Sequence, residues 1–305
     1  MDTSKMEIID PNGDVILTLV HEPDIKSNPN TTPNATQAPK QARFQVSSKH
    51  LMLPSPYFMK RLGPNWSEGR ELALNGVAEI KIEGFDSEAL LIILNAMHSR
   101  NDQVPSDVTF ELLVKIAQLT EYFQCNKAIG VFGATWFNQF RRLRGDSNEL
   151  PGYLLVSHVF GSEADLKRGI SCAWKESNGP FDTKNLPLPS FVKDTIDANR
   201  ESFNENLASH IGRQVIQSLG TPPGSRYTCE SLRLGFWAKG KRLNEGAPAK
   251  DDASSPKSLS EQIWQWNEKA KHTCPEKWCR NCSNFMKLLG PDLTAQIQDA
   301  RQSYR

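Results

Sequence analysis

Alternating polar and apolar positions predict a small β-sheet near the start of the chain. Residues 14–20 are rich in β-branched side chains and stand between turn-forming prolines and glycines, which predicts a buried strand. Residues 43–46 alternate and are expected to pair back on that strand. Residues 77–82 alternate too and predict a third strand. Residues 21–42 are rich in Pro, Asn and Thr, so we expect a flexible insertion loop at the hairpin tip.

Apolar residues at helical spacing predict several helices, some of them between the strands of this sheet. Ser47 or Ser48 can cap a short helix, and Pro54 and Pro56 separate it from a second short helix ending near residue 62. A loop carrying Trp66 is expected before the third strand. Further helices are predicted over residues 87–98, 112–123, 129–140, 152–160, 166–174 and 189–219. The order β-β-α-α-β-α-α-α for residues 10–130 favours an α+β fold, with helices covering one side of a small sheet.

The patterns divide the chain into four parts. Residues 8–130 form the predicted α+β domain, and residues 131–219 show only helical patterns. Residues 220–260 are rich in Pro, Gly, Ser and Lys and are interpreted as a linker. Residues 261–305 are expected to hold C-terminal helices and a Cys/His cluster.

Composition excludes several classes of protein. Apolar residues make up 38% of the 305 residues and charged residues 23%, which is unlike a disordered chain. The net charge of +1 argues against a protein built to bind nucleic acid, and no apolar run is long enough to cross a membrane. The N-terminus lacks the pattern of a secretory signal, so we expect an intracellular protein, in the cytoplasm or nucleus, with reduced cysteines.

Several segments together resemble a known family. They are Phe44–Leu51, the turn Ser55-Pro56-Tyr57-Phe58 and, further on, Leu154–Gly161, in combination with the order of the elements. In these respects the chain looks like the BTB/POZ family, in its large fungal branch, over roughly residues 8–220. The resemblance implies a protein-interaction module without catalytic residues. Members of this family typically dimerise, and many act as substrate adaptors on a cullin scaffold of a ubiquitin ligase or in transcriptional complexes.

The same resemblance suggests where partners bind. Trp66-Ser67-Glu68 is similar to the hydrophobic-x-Glu motif of cullin-binding members; a bulky aromatic is a plausible anchor, and the alternative is that Trp66 packs over the domain edge. Asp14 matches an acidic residue buried near the two-fold axis of dimeric members. The basic partner usual there is replaced by Ser47-Ser48, so that Asp14 either lacks a basic partner or, if the register permits, has Lys49 in its place. Tyr57 and Phe58 of the turn complete the predicted contact residues.

Signatures of catalysis are missing from the sequence, and we therefore expect no enzyme. There is no nucleophile elbow, phosphate loop, His-Glu-x-x-His motif or dinucleotide fingerprint. The strongest chemical pattern combines four metal-ligand residue types, and it favours either a structural zinc or reduced, partly buried thiols: His272, Cys274, Cys279 and Cys282. No other cofactor is expected. With a zinc knot and the basic stretch 239–242, the alternative function is a BTB-containing transcriptional regulator.

Overall fold

The computed structural model describes residues 6–20, 41–141, 148–219 and 291–301, with five further positions between 255 and 264. The described residues belong to two compact units. Unit 1 takes those within 1–143 and 152–166, and unit 2 takes those within 144–151 and 167–305. The described part is a mixed α+β protein, as the sequence predicts. The predicted flexible loop 21–42, the linker 220–260 and most of 261–305 lie outside the described residues.

A four-stranded mixed sheet forms the centre of unit 1. The strands are β1 (Met6–Ile8), β2 (Val15–Val20), β3 (Gln41–Val46) and β4 (Ala78–Glu83), in the order β1-β3-β2-β4. β2 and β3 pair antiparallel, whereas β1 with β3 and β2 with β4 pair parallel. The three strands expected from the sequence are present. The sequence pattern does not predict β1, because a three-residue strand is too short to show alternation.

Helices account for most of the remaining described residues. In unit 1 they are α1 (Ser48–Met52), α2 (Pro56–Arg61), α3 (Ser67–Asn75), α4 (Ser87–Met97), α5 (Phe110–Phe123) and α6 (Asn126–Phe140), with a 3₁₀ turn at Asn101–Gln103. Next come α7 (Leu150–Phe160) and α8 (Glu163–Glu176), each with residues in both units, and then α9 (Ser190–Leu219) and α10 (Pro291–Arg301) in unit 2. The prediction of a loop before the third strand is wrong for residues 67–75, which form α3.

Local capping explains several helix starts. Ser55 accepts a hydrogen bond from the Phe58 amide at the start of α2, and Asp86 accepts from two amides at the start of α4. Ser47 is the N-cap residue of α1, but its side chain makes no capping bond. The carboxylate of Asp14 supplies that acceptor instead, as described below. Capping by Ser47 or Ser48 side chains is therefore corrected to capping by Asp14, the first residue of the first predicted strand.

The core of unit 1 lies between one face of the sheet and α4, α5 and α6. Along β4, Ala78, Ile80 and Ile82 are buried while the residues between them are exposed. The three helices pack against one another. Their buried side chains include Leu90, Ile93, Leu113, Ile116, Trp136 and Phe137. On α6, a Cβ added at Gly133 would lie 2.2 Å from the Phe160 ring, so the small residue admits this ring from α7.

Unit 2 is helical over its described residues from 167 to 219, apart from the segment that joins α8 to α9. Trp174 of α8 lies 5.8 Å from Phe203 of α9 between ring centroids. Asp197 of α9 accepts a hydrogen bond from the Phe181 amide in the connecting segment. Lys175, which is buried, forms an ion pair of 2.8 Å with Asp299 of α10. These contacts join α8, the connection, α9 and α10 into one body.

Candidate protein-interaction site

A polar network joins the end of α2 to the start of α3. Arg61 donates from Nε to Glu68 Oε1 at 3.0 Å, and its Nη2 lies 2.9 Å from the same oxygen. Its Nη1 donates to the Tyr57 hydroxyl at 2.6 Å. Burial opposes ionisation of Glu68, but hydrogen bonds from Ser67 and Arg61 hold its pKa below the ordinary value. Glu68 is therefore a charged carboxylate that is already paired within the chain.

Trp66 stands on a tight turn between these two helices. The Trp66 amide donates to the Gly63 carbonyl at 3.2 Å. A Cβ at Gly69 would lie 2.0 Å from that same carbonyl oxygen. The first turn of α3 therefore packs so close to the turn at Gly63 that only glycine fits at position 69. Trp66 is 53% exposed. The structure thus presents Trp66 to solvent from a fixed backbone.

One face of α3 continues this exposed surface. Arg70 and Leu74 follow Trp66 at steps of four residues, and both are exposed, Leu74 to 84%. Gly69 is the buried residue of this helix. We call Trp66, Arg70 and Leu74 the α3 surface. It combines two large apolar side chains with one cation.

Tyr57 and Phe58 occupy different environments. Phe58 is fully buried and its ring stacks on Phe123 at 4.8 Å, so it is a core residue and offers no surface to a partner. Tyr57 is half-buried, and its hydroxyl lies 3.3 Å from that of Tyr122. Burial and this hydrogen bond raise the pKa of Tyr57 to about 12. The Tyr57 hydroxyl serves to orient Arg61.

Asp14 is hydrogen-bonded to Ser48. Its Oδ1 accepts from the Ser48 amide at 2.6 Å, and its Oδ2 accepts from the Ser48 hydroxyl at 2.7 Å. Lys49 is exposed on α1, and among the described residues no ion pair joins it to Asp14. The expectation that Lys49 takes the place of the basic partner is therefore corrected. Ser48, and not Lys49, donates the hydrogen bonds to the Asp14 carboxylate. In this way Asp14 joins the start of β2 to the start of α1.

His98 is a buried residue that the sequence analysis missed. Its Nε2 accepts from the Ser47 amide at 2.9 Å, and its Nδ1 donates to the Leu94 carbonyl at 2.8 Å. Both ring nitrogens are thus satisfied in the neutral form. Burial lowers the pKa of His98, and the exposed His50 ring lies 5.0 Å away between centroids. No motif marks His98, since it simply follows the apolar stripe of α4.

The four predicted metal ligands are not among the residues that the structure describes. His272, Cys274, Cys279 and Cys282 lie outside them. In the part that the structure does describe, no three His, Cys, Asp or Glu side chains come together to hold a metal. Burial raises the pKa of Cys125 to about 12, which keeps this thiol protonated and unreactive. None of the described helices is long and apolar enough to cross a membrane.

Unit 2 carries a small cavity of about 170 Å³. Its walls include Leu150, Ala173 and Phe181, with Glu176 and Lys184 at the polar side. Sites for drug-sized ligands and cofactors occupy roughly 300–1,000 Å³. This cavity is therefore too small for a cofactor of ordinary size.

Comparison of the chain with models of protein families, with curated proteins and with solved structures gave no match. The resemblance to BTB/POZ domains accordingly stays a prediction from the sequence.

Proposed function

We propose that this chain is a non-enzymatic interaction protein whose unit 1 is a BTB/POZ-like docking domain. In the narrower form of the proposal, it is a substrate adaptor that binds a cullin scaffold of a ubiquitin ligase. The observation that carries the proposal is the exposed Trp66 on its fixed turn. Interfaces are usually dominated by a few large side chains, tryptophan and arginine above all, and the α3 surface offers both.

Rigidity supports the role of Trp66 as an anchor. The close approach of Gly63 and Gly69 and the Arg61–Glu68 pair hold the turn in one conformation before any partner arrives. A segment whose backbone is already held in place loses less conformational entropy on binding. An exposed aromatic with this support is better suited to binding than one on a free loop.

Glu68 enters the proposal in a particular way. Because Arg61 already pairs with it, a cullin would meet an Arg61–Glu68 ion pair and not a free carboxylate. We therefore assign the binding energy mainly to Trp66 and give Glu68 the task of positioning the first turn of α3. Binding should fall strongly on removal of the indole and less on removal of the Glu68 charge.

Binding of the full-length chain to the N-terminal region of a cullin, measured by biolayer interferometry, tests the proposal. Trp66→Ala should weaken binding by at least tenfold, as expected for a hot-spot residue. Val131→Ala on α6 is the control, because it also removes an exposed apolar side chain but lies outside the α3 surface. Its binding should equal that of the wild type. A wild-type protein that does not bind cullin would overturn the adaptor function. Equal binding by wild type and Trp66→Ala would show that the Trp66-Ser67-Glu68 motif does not contribute to cullin binding.

A transcriptional regulator with a small C-terminal metal knot is the alternative proposal from the sequence. It requires zinc held by His272, Cys274, Cys279 and Cys282. Stoichiometric zinc in the purified chain, together with DNA binding that weakens as salt rises, would favour it over the adaptor.

A further inference from the structure

The strand β4 forms one edge of the sheet. It pairs with β2 on one side, and among the described strands none pairs with its other side. The Ala78 amide donates to the Asp14 carbonyl at 3.1 Å, so the backbone polar groups of Ala78 point towards β2. Backbone groups of successive strand residues point to opposite sides. Those of Glu79 and Lys81 therefore point away from the sheet, where they can pair with another strand.

Side chains along this edge alternate in sign on one face. Glu79, Lys81 and Glu83 are exposed, while the residues between them face the core. The Thr18 hydroxyl donates to Glu79 Oε1 at 2.7 Å, which holds the Glu79 side chain on this face and leaves Oε2 for a cation. Gly76 and Gly84, both with positive φ, turn the chain away at the two ends of the strand. The edge thus has a defined length and a defined charge pattern.

We propose that β4 pairs antiparallel with β4 of a second copy of this chain, about a two-fold axis at Ile80. The two four-stranded sheets then form one sheet of eight strands. In this register Glu79 lies opposite the second copy's Lys81, and Lys81 lies opposite its Glu79. All four residues use the backbone groups that point away from β2, so the pairing completes hydrogen bonds without disturbing the existing sheet.

Charge selects this register over its neighbour. An axis at Lys81 also satisfies the backbone geometry, but it sets Lys81 opposite Lys81 and Glu79 opposite Glu83. Opposite charges facing each other across strands are stabilising and like charges are destabilising. A two-fold axis at Ile80 is therefore favoured, with two complementary ion pairs per dimer. A second copy fits the edge because the same segment supplies both halves of the charge pattern.

Sedimentation velocity of the purified full-length chain over a concentration series tests the proposal. The wild type should form dimers. Lys81→Glu places glutamates opposite one another, and Glu79→Lys does the same with lysines, so each variant should weaken the dimer by at least tenfold. The double variant Glu79→Lys/Lys81→Glu restores opposite charges in the same register and should recover dimerisation. An equimolar mixture of the two single variants should also dimerise, because each complements the other.

Glu83→Lys is the matched control. In the Ile80 register Glu83 lies opposite Val77, so the reversal should leave the dimer unchanged, whereas an axis at Lys81 would be strengthened by it. Far-ultraviolet circular dichroism of each variant reports whether it folds. A wild type that stays monomeric at all concentrations overturns the proposal. Dimerisation that is as strong in both single variants as in the wild type also overturns it, and so does a double variant that stays monomeric. The measurement contains no cullin and is independent of the adaptor proposal.

Discussion

Acidification from pH 7.5 to pH 5.5 should loosen unit 1 at the junction of β3 and α1, through His98. In the folded chain this side chain is neutral, because its Nε2 accepts from the Ser47 amide and its Nδ1 donates to Leu94. A proton on Nε2 would point at the Ser47 N–H and break that bond. Burial is the largest effect and opposes protonation of His98, as do His50 on α1 and Arg100 after α4. The Leu94 carbonyl and Asp10 after β1 favour protonation, but the net result is a lowered pKa.

The sign of the effect follows from the lowered pKa of His98. An unfolded histidine takes up a proton below about pH 6.5, and the folded His98 resists it until a lower pH. The stabilising contribution is therefore complete above about pH 6.5, and it is lost as the pH falls from there through the pKa of the folded state. One proton limits the slope to about 1.4 kcal/mol per pH unit. A Ser47 amide left without an acceptor costs about 1–3 kcal/mol.

Hydrogen exchange measured by mass spectrometry on a peptide that contains Ser47 reads this junction directly. After correction for intrinsic exchange rates, the opening free energy of the wild type should fall between pH 7.5 and pH 5.5. His98→Gln has no titrating group there and should lose most of this pH dependence. His158→Gln is the control, because His158 lies on α7 and is not among the groups that act on the pKa of His98. An unchanged pH dependence in His98→Gln would refute the reasoning.

Two further substitutions probe packing and hydrogen bonding, each by urea unfolding. Gly133→Ala should lower the free energy of unfolding by about 1–3 kcal/mol, because the added Cβ would lie 2.2 Å from the Phe160 ring. Gly179→Ala is the control and should have little effect, since nothing lies within 4 Å of its added Cβ. Equal effects of the two substitutions would contradict the packing described. Asp14→Ala should destabilise more than Ser48→Ala, since it removes both acceptors at the start of α1 and hydrogen bonds to a charged group contribute about 1.5–3 kcal/mol each. A larger loss for Ser48→Ala would show that the carboxylate is not the fastening group.

Sequence patterns predict the elements of this fold that bury one face. Alternation identifies β3 and β4, the β-branched run between turn residues identifies β2, and Asp86 correctly marks the start of α4. The same logic explains the two elements that were missed. Of the α3 residues only Gly69 is buried, so this helix carries no apolar stripe, and β1 takes its structure from pairing with β3.

The candidate site was predictable only in part. An exposed tryptophan in a polar segment could be singled out from the sequence, but its environment could not. The pairing of Arg61 with Glu68 depends on how the turn between α2 and α3 closes. The bond from Ser47 to His98 joins residues 51 positions apart, and it exists only because α4 packs beside the end of β3. Such contacts arise from tertiary structure and leave no local pattern.

The parallel pairing of β2 with β4 has a consequence for how the chain folds as it is made. The two neighbouring strands are separated by roughly sixty residues that contain β3 and three helices, so β2 must wait for β4 to be synthesised. At about 5–20 residues per second this interval lasts several seconds on a ribosome. During that time the most apolar strand of the sheet has one unfilled side, and the nascent chain is most exposed to misassociation before residue 83 has emerged.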